Sequence, residues 1–272
     1  MNLVASRIRG RAIARVSACA PLLPGQPVIF SDTTGSRTRS TAGEAWTIAR
    51  LRAEHADAVV PVRVSERGAP QLFAGDPQRA FQFQRMRLAE VVDGFALDGA
   101  TRYVQLCDLA HALPRLAAGV PTPAQAGTLY ASPAYAWICG GGTVNPLHFD
   151  LNEALLAQVV GEKHFLLFPP EDSPRIAGRV ERAIFRTTSL DFLQPDRERF
   201  PRLDGATPYE AVVGPGDVLY IPYRWWHAMV ALEPSVSVTW WWEPSHMAHV
   251  HNALRQRAVD AAKSVLRALR VT

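Results

Sequence analysis

His148 and Asp150 stand two residues apart in the run Gly142-Thr143-Val144-Asn145-Pro146-Leu147-His148-Phe149-Asp150. On an extended strand, positions i and i+2 share a face. An imidazole and a carboxylate therefore reach toward one ion, while Phe149 turns into the opposite layer. An H-x-D pair alone is a common surface feature. It gains weight from His227, which follows Gly216-Asp217-Val218-Leu219-Tyr220-Ile221-Pro222 and Tyr223-Arg224-Trp225-Trp226, a turn, a buried strand and an aromatic wall. Two imidazoles and one carboxylate on one side of an ion leave three positions open, which is the donor set of non-haem Fe(II) oxygenases. A structural zinc site would be closed by a fourth protein ligand.

Lys163 opens Lys163-His164-Phe165-Leu166-Leu167-Phe168, whose alternation places Lys163, Phe165 and Leu167 on one side. An ammonium group on an apolar strand is costly to bury unless it meets an anion. A dicarboxylate such as 2-oxoglutarate, held on iron at one end and presenting its far carboxylate to Lys163, would supply that anion. The plainer alternative is a solvated lysine capping the turn at Gly161-Glu162.

Several elements must position these groups. From residue 130 onward the chain consists of short apolar segments punctuated by Pro and Gly: Tyr135–Cys139, Ala154–Val160, His164–Phe168, Ala211–Val213, Val218–Ile221, His227–Ala231 and Val236–Trp242. Segments this short, rich in Val, Trp, Tyr and Phe, predict a β-sandwich or barrel. Upstream, Pro27–Phe30 and Val59–Val64 read as strands and Arg87–Val92 as a short helix. A helix over about 43–55 is expected from the capping-box spacing Thr41-Ala42-Gly43-Glu44 and the face formed by Trp46, Ala49 and Leu51. Residues 1–26 read as a basic arm or helix. Residues 244–272 read as an amphipathic helix, with Leu254, Ala258, Ala261, Val265 and Leu269 at helical spacing.

The runs Asn145-Pro146-Leu147-His148-Phe149-Asp150, Leu156–Lys163, Leu167–Asp172 and Gly216 through His227 resemble, in order and spacing, the JmjC-type, cupin-like (cupin 8) Fe(II)/2-oxoglutarate-dependent oxygenases. The similarity is greatest to the asparaginyl hydroxylase that inhibits hypoxia-inducible factor and its bacterial relatives. The resemblance implies a mainly β protein with a double-stranded β-helix (jelly-roll) core and surrounding helices, spanning residues 27–243. It implies His148, Asp150 and His227 as iron ligands and Lys163 as the residue for the 2-oxoglutarate C5 carboxylate, with O₂ as the second co-substrate. It also implies Thr239 near the co-substrate, where the family often has asparagine. Two positions depart from the pattern. Asn145 stands where the family commonly has a threonine that hydrogen-bonds 2-oxoglutarate, and asparagine can still donate. Ala154 stands where the asparaginyl hydroxylase has an asparagine.

Among the other residues that could attract a ligand, His246, His249 and His251 have no nearby Cys or carboxylate and are expected at the start of the terminal helix. Trp240, Trp241 and Trp242 must alternate faces. Gly140-Gly141-Gly142 lacks the strand–loop–helix context of a phosphate loop and reads as a turn.

Composition bounds the function. With 272 residues, 48% hydrophobic, the chain can bury a substantial core. Three scattered cysteines form neither a disulfide framework nor a C-x-x-C pair, so a reducing, cytoplasmic setting is expected, and no apolar run is long enough to span a membrane. The formal net charge of +4 sits at the ends: residues 1–31 carry four arginines and no acid, and residues 244–272 carry a further +4, leaving the middle at −4. That middle has no electrostatic case for gripping phosphates. The expected activity is hydroxylation of a C–H bond on a protein or peptide side chain, with the terminal helix pairing in a homodimer. The competing readings are hydroxylation of RNA or a small metabolite, with the basic ends as the grip, and a non-enzymatic metal-binding cupin.

Overall fold

Runs such as Val218–Ile221 and Trp226–Ala231 carry apolar residues at consecutive positions, because these strands are covered on both faces. The computed structural model describes residues 8–31, 45–66, 82–96, 100–129, 133–177 and 187–243. In chain order the elements are β1 (Arg11–Ala12), β2 (Ala14–Ser17), β3 (Val28–Ser31), α1 (Ile48–Glu54), β4 (Val59–Glu66), β5 (Gln82–Arg87), α2 (Leu88–Asp93), β6 (Ala100–Asp108), α3 (Leu109–Ala112) and α4 (Pro114–Gly119). There follow β7 (Tyr135–Cys139), β8 (Val144–Phe149), β9 (Glu153–Val160), β10 (Lys163–Phe168), β11 (Tyr209–Val213), β12 (Asp217–Ile221), β13 (Trp226–Ala231) and β14 (Ser235–Trp242).

The strands form two facing sheets. The smaller runs β1-β11-β10-β13-β8 and the larger β2-β3-β12-β9-β14-β7-β6-β4-β5. The chain crosses between the sheets from β8 to β9 to β10, turns back within the smaller sheet to pair β11 with β10, and crosses again from β11 to β12, β13 and β14, so most strands adjacent in sequence lie opposite one another. This is the double-stranded β-helix. Three apolar clusters fill the layers. Phe165, Leu167, Leu219, Ile221 and Trp225 pack between the sheets. Leu155, Val218, Val238, Trp240 and Trp242 face outward from the larger sheet onto Leu51, Leu88, Leu113 and Leu116 of the helices. Leu147, Phe149, Phe168 and Trp226 face outward from the smaller sheet onto Leu190, Phe192 and Leu203.

One expectation is corrected, and one left open between arm and helix is decided over residues 11–17. The helix near residue 48 begins at Ile48, and its N-cap is Thr47, whose hydroxyl accepts from the Arg50 N–H at 3.1 Å. The Thr41–Glu44 spacing lies outside the described residues. The basic N-terminal stretch is extended over residues 11–17, not helical: β1 pairs in parallel with β11, and β2 in parallel with β3. Arg15 donates to both oxygens of the buried Asp217 carboxylate at 2.8 Å and to the Val212 carbonyl, so this arginine fastens the arm to the barrel. The proposed terminal helix and His246, His249 and His251 lie outside the described residues.

Candidate metal and co-substrate site

His148 is the penultimate residue of β8 and Asp150 follows its last. His227 is the second residue of β13, directly opposite His148 in the antiparallel register. The pairing brings the two imidazoles to a centroid separation of 4.2 Å. His227 Nε2 lies 3.9 Å from Asp150 Oδ2, and one donor atom from each of the three residues falls within 4.8 Å of the others. Phe149, between the two β8-side ligands, turns the other way and meets Trp226 edge to face at 4.8 Å. Alternation along both strands thus sends the ligands inward and the aromatic anchors outward.

Both histidines are held in the same way. His148 Nδ1 is 2.8 Å from the carbonyl oxygen of Pro146, and His227 Nδ1 is 3.0 Å from that of Trp225. A carbonyl only accepts, so each Nδ1 carries the proton and each Nε2 keeps its lone pair free, the tautomer a metal requires. Burial, reinforced by the neighbouring His148, pushes His227 down to about 4, so the ring is neutral at physiological pH. Two imidazole Nε2 atoms and a carboxylate fit a divalent cation on one face and leave the other coordination positions to ligands that are not protein.

Lys163 is 1% exposed, and burial lowers its pKa from the ordinary lysine value. Its Nζ donates to Ser237 Oγ at 2.7 Å. Among the described residues no carboxylate makes an ion pair with it. A cavity between the sheets is lined by this lysine together with His148, Asp150, His227, Asn145 and Thr239, the six residues singled out in the sequence. Ala154, Leu156, Phe165, Ile221 and Met229 supply its apolar walls.

Two polar atoms in this cavity's lining are buried without a hydrogen-bond partner among the described residues, Thr239 Oγ1 and Trp137 Nε1. Orphaned polar groups are costly, and a polar ligand in the cavity would satisfy them. The donor set thus fits a small anionic chelate: an ammonium, a hydroxyl and an indole N–H across a cavity with apolar walls from an open metal face.

Sequence reasoning missed Tyr103 and placed Trp137 only in a strand. Tyr103, on β6, lines the cavity and is 2% exposed; burial keeps its phenol protonated and able to donate. The alternation of Thr101, Tyr103 and Gln105 was the available signal. Trp137 lies tilted against Tyr103 with ring centroids 6.0 Å apart and meets Trp241 edge-on at 5.8 Å, so the three rings form one aromatic wall.

A double-stranded β-helix with an open two-histidine, one-carboxylate face defines a class of metal-dependent barrels. Residues 20–248 match the model of the cupin-like domain family, and the chain belongs to that family. It is 41% identical over 107 residues to lysine-specific demethylase 8 of Danio rerio, covering 39% of this chain and 26% of that protein. It is 37% identical over 108 residues to Jumonji C domain-containing protein 5 of Drosophila melanogaster, covering 40% and 27%. It is 35% identical over 136 residues to human HSPB1-associated protein 1, covering 47% and 28%. The matched segments span less than a third of these relatives. Among the described residues, no helix is long and apolar enough to cross a membrane.

Proposed function

We propose that this protein is an Fe(II)- and 2-oxoglutarate-dependent oxygenase that hydroxylates a C–H bond on an amino-acid side chain of a protein or peptide. The observation that carries the reading is the buried Lys163 ammonium, without a carboxylate partner among the described residues, in the same cavity as an open metal face. His148, Asp150 and His227 would hold the metal. Lys163, with Asn145 and Thr239 beside it, would hold the co-substrate. When bound, metal and co-substrate supply the oxidising chemistry, in which one oxygen atom of O₂ ends in succinate, CO₂ leaves, and the other oxygen enters the substrate.

The protein's own part is placement. The Pro146 and Trp225 carbonyls fix both imidazoles by their Nδ1 protons, so neither ring turns when the other positions fill. Lys163 neutralises the distal carboxylate inside a dry barrel, where the attraction is strong. Phe165, Leu156 and Met229 exclude water from the reacting face.

The relatives named lysine-specific demethylases support a protein substrate and favour one variant outcome. A hydroxyl placed on an N-methyl carbon collapses to release formaldehyde; placed on a carbon-bonded position, it stays. Anaerobic titration with Fe(II) and then 2-oxoglutarate tests the core reading: a visible metal-to-ligand charge-transfer band in wild type, absent in His148→Ala, is expected. Iron binding with no band on adding 2-oxoglutarate refutes the oxygenase and leaves the metal-binding cupin. Mass spectrometry of peptide libraries then separates a gain of one oxygen from formaldehyde release. RNA or a small metabolite as substrate is the alternative that such libraries would expose by silence. A cytoplasmic homodimer built on Leu254 and Leu269 is part of the proposal; light scattering in which Leu254→Glu/Leu269→Glu keeps a dimeric mass rejects it.

A further inference from the structure

The position of the Lys163 ammonium is set by a directional chain of buried hydrogen bonds. The Gln158 side-chain NH₂ donates to the carbonyl oxygens of Val160 at 2.8 Å and Gly161 at 2.9 Å. Carbonyls only accept, so the amide has one orientation and its Oε1 points the other way. Ser237 Oγ lies 2.7 Å from that oxygen and must donate to it. The hydroxyl's lone pairs then face Lys163 Nζ, which donates to it at 2.7 Å. Gln158 and Ser237 are both 0% exposed, so no water competes.

The backbone is shaped to make this chain. β9 and β14 pair in register except at one irregularity, where Val236 faces Val160 but Ser237 faces Gln158. The extra residue, Val159, is a β-bulge of the kind that re-aims side chains beside functional sites. Gly161 holds the carbonyl end of the chain. Its φ is +70°, and a Cβ there would stand 2.3 Å from the Pro234 carbonyl oxygen.

We propose that Ser237 and Gln158 are positioning residues that fix how far the Lys163 ammonium stands from the metal, and so select the five-carbon dicarboxylate. One N–H of Lys163 is spent on Ser237, leaving two for a ligand carboxylate in the cavity. This inference rests on the co-substrate reading above. Without the chain, a lysine with four rotatable bonds would keep its charge but lose its fixed place.

The test measures Kd for 2-oxoglutarate and for 2-oxobutyrate, which chelates iron but has no distal carboxylate, from the charge-transfer band of the Fe(II) protein. Melting curves establish that each variant is folded. Ser237→Ala is expected to weaken 2-oxoglutarate about tenfold, the scale of one charge-assisted hydrogen bond, and to leave 2-oxobutyrate unchanged. Ser237→Thr, which restores the hydroxyl, is expected to restore affinity, and Gln158→Leu to act like Ser237→Ala. If Ser237→Ala and Gln158→Leu bind 2-oxoglutarate like wild type while Lys163→Met does not, the positioning inference is overturned and the co-substrate reading stands. Equal losses for both ligands would also overturn it, as general damage to the barrel. Failure of wild type itself to bind 2-oxoglutarate overturns both.

Discussion

The main-chain N–H of Arg224 donates to the carbonyl oxygen of Asp150 across 3.1 Å. That single bond ties the loop delivering His227 to the loop delivering the carboxylate ligand. Arg224 makes it at φ +62°, a left-handed conformation that costs a non-glycine residue about 1 kcal/mol or more, and its guanidinium lies over the Phe149 ring at 5.7 Å.

A pair of substitutions separates the backbone bond from the side chain. Arg224→Gly keeps the N–H and relaxes the strain, so iron affinity should stay within about threefold of wild type. Arg224→Pro removes the donor and cannot adopt positive φ, so iron affinity should fall by roughly tenfold or more, the range seen when a ligand's outer support is lost. Equal affinities for the two variants, from competition with a chromogenic chelator, would show that the bond does not organise the ligands.

Lys163→Met should move affinity and stability in opposite directions. Binding of 2-oxoglutarate should weaken by roughly a hundredfold, because the distal carboxylate loses its counter-charge. The ligand-free protein should melt a few degrees higher, since an unpaired buried ammonium is replaced by an apolar group of similar length. Calorimetry without ligand reads the second effect, and a lower melting temperature would contradict the account of Lys163 as a cation held in the barrel at a desolvation cost.

The same lysine sets a pH window. Its pKa in the folded protein lies below the ordinary 10.5 because burial disfavours the charged form. Between the two values the unfolded chain binds the extra proton, so the lysine's contribution to stability rises with pH across that interval. Co-substrate affinity runs the other way, falling as the ammonium is lost. Titrations from neutral to alkaline pH should show 2-oxoglutarate binding decline before pH 10.5 in wild type, and no such step in Lys163→Met.

Gly161→Ala should destabilise the fold by about 2 kcal/mol or more, lowering Tm by roughly 5 °C for a chain of this size. The introduced methyl meets the Pro234 carbonyl at the tip of the turn joining β9 to β10. Thermal melts check the value, and an unchanged Tm would show that the turn relaxes without penalty.

The barrel was legible where alternation is clean. Tyr135–Cys139 coincides with β7, and the alternation of Trp240, Trp241 and Trp242 correctly sends the first and third outward and Trp241 into the cavity lining. β6 escaped notice because its alternation breaks. Leu106 adopts φ +52°, and Val104 and Cys107, three residues apart, both face the outer core. A reader following period two loses the strand there, and Tyr103 with it. The i, i+2 spacing of His148 and Asp150 was visible locally. The partnership of Lys163 with Ser237, 74 residues away, was not, since it depends on a bulge in the pairing of β9 with β14. The basic stretch stayed open between arm and helix for a related reason: β1 and β2 are too short to show a period, and parallel pairing with other strands defines them.

The two edges closed by that arm also fix an order of events in synthesis. β1 caps the smaller sheet against β11, and β2 caps the larger against β3, which itself lies on β12. β1 leaves the ribosome first among these partners, yet must wait some two hundred residues for Tyr209–Val213 to appear, whereas β2 can meet β3 soon after both are made and the pair then waits for Asp217–Ile221. Until then the strand that β1 borders and the strand that β3 borders are both missing, so the first-made strand of the chain is held back from its place by one of the later ones.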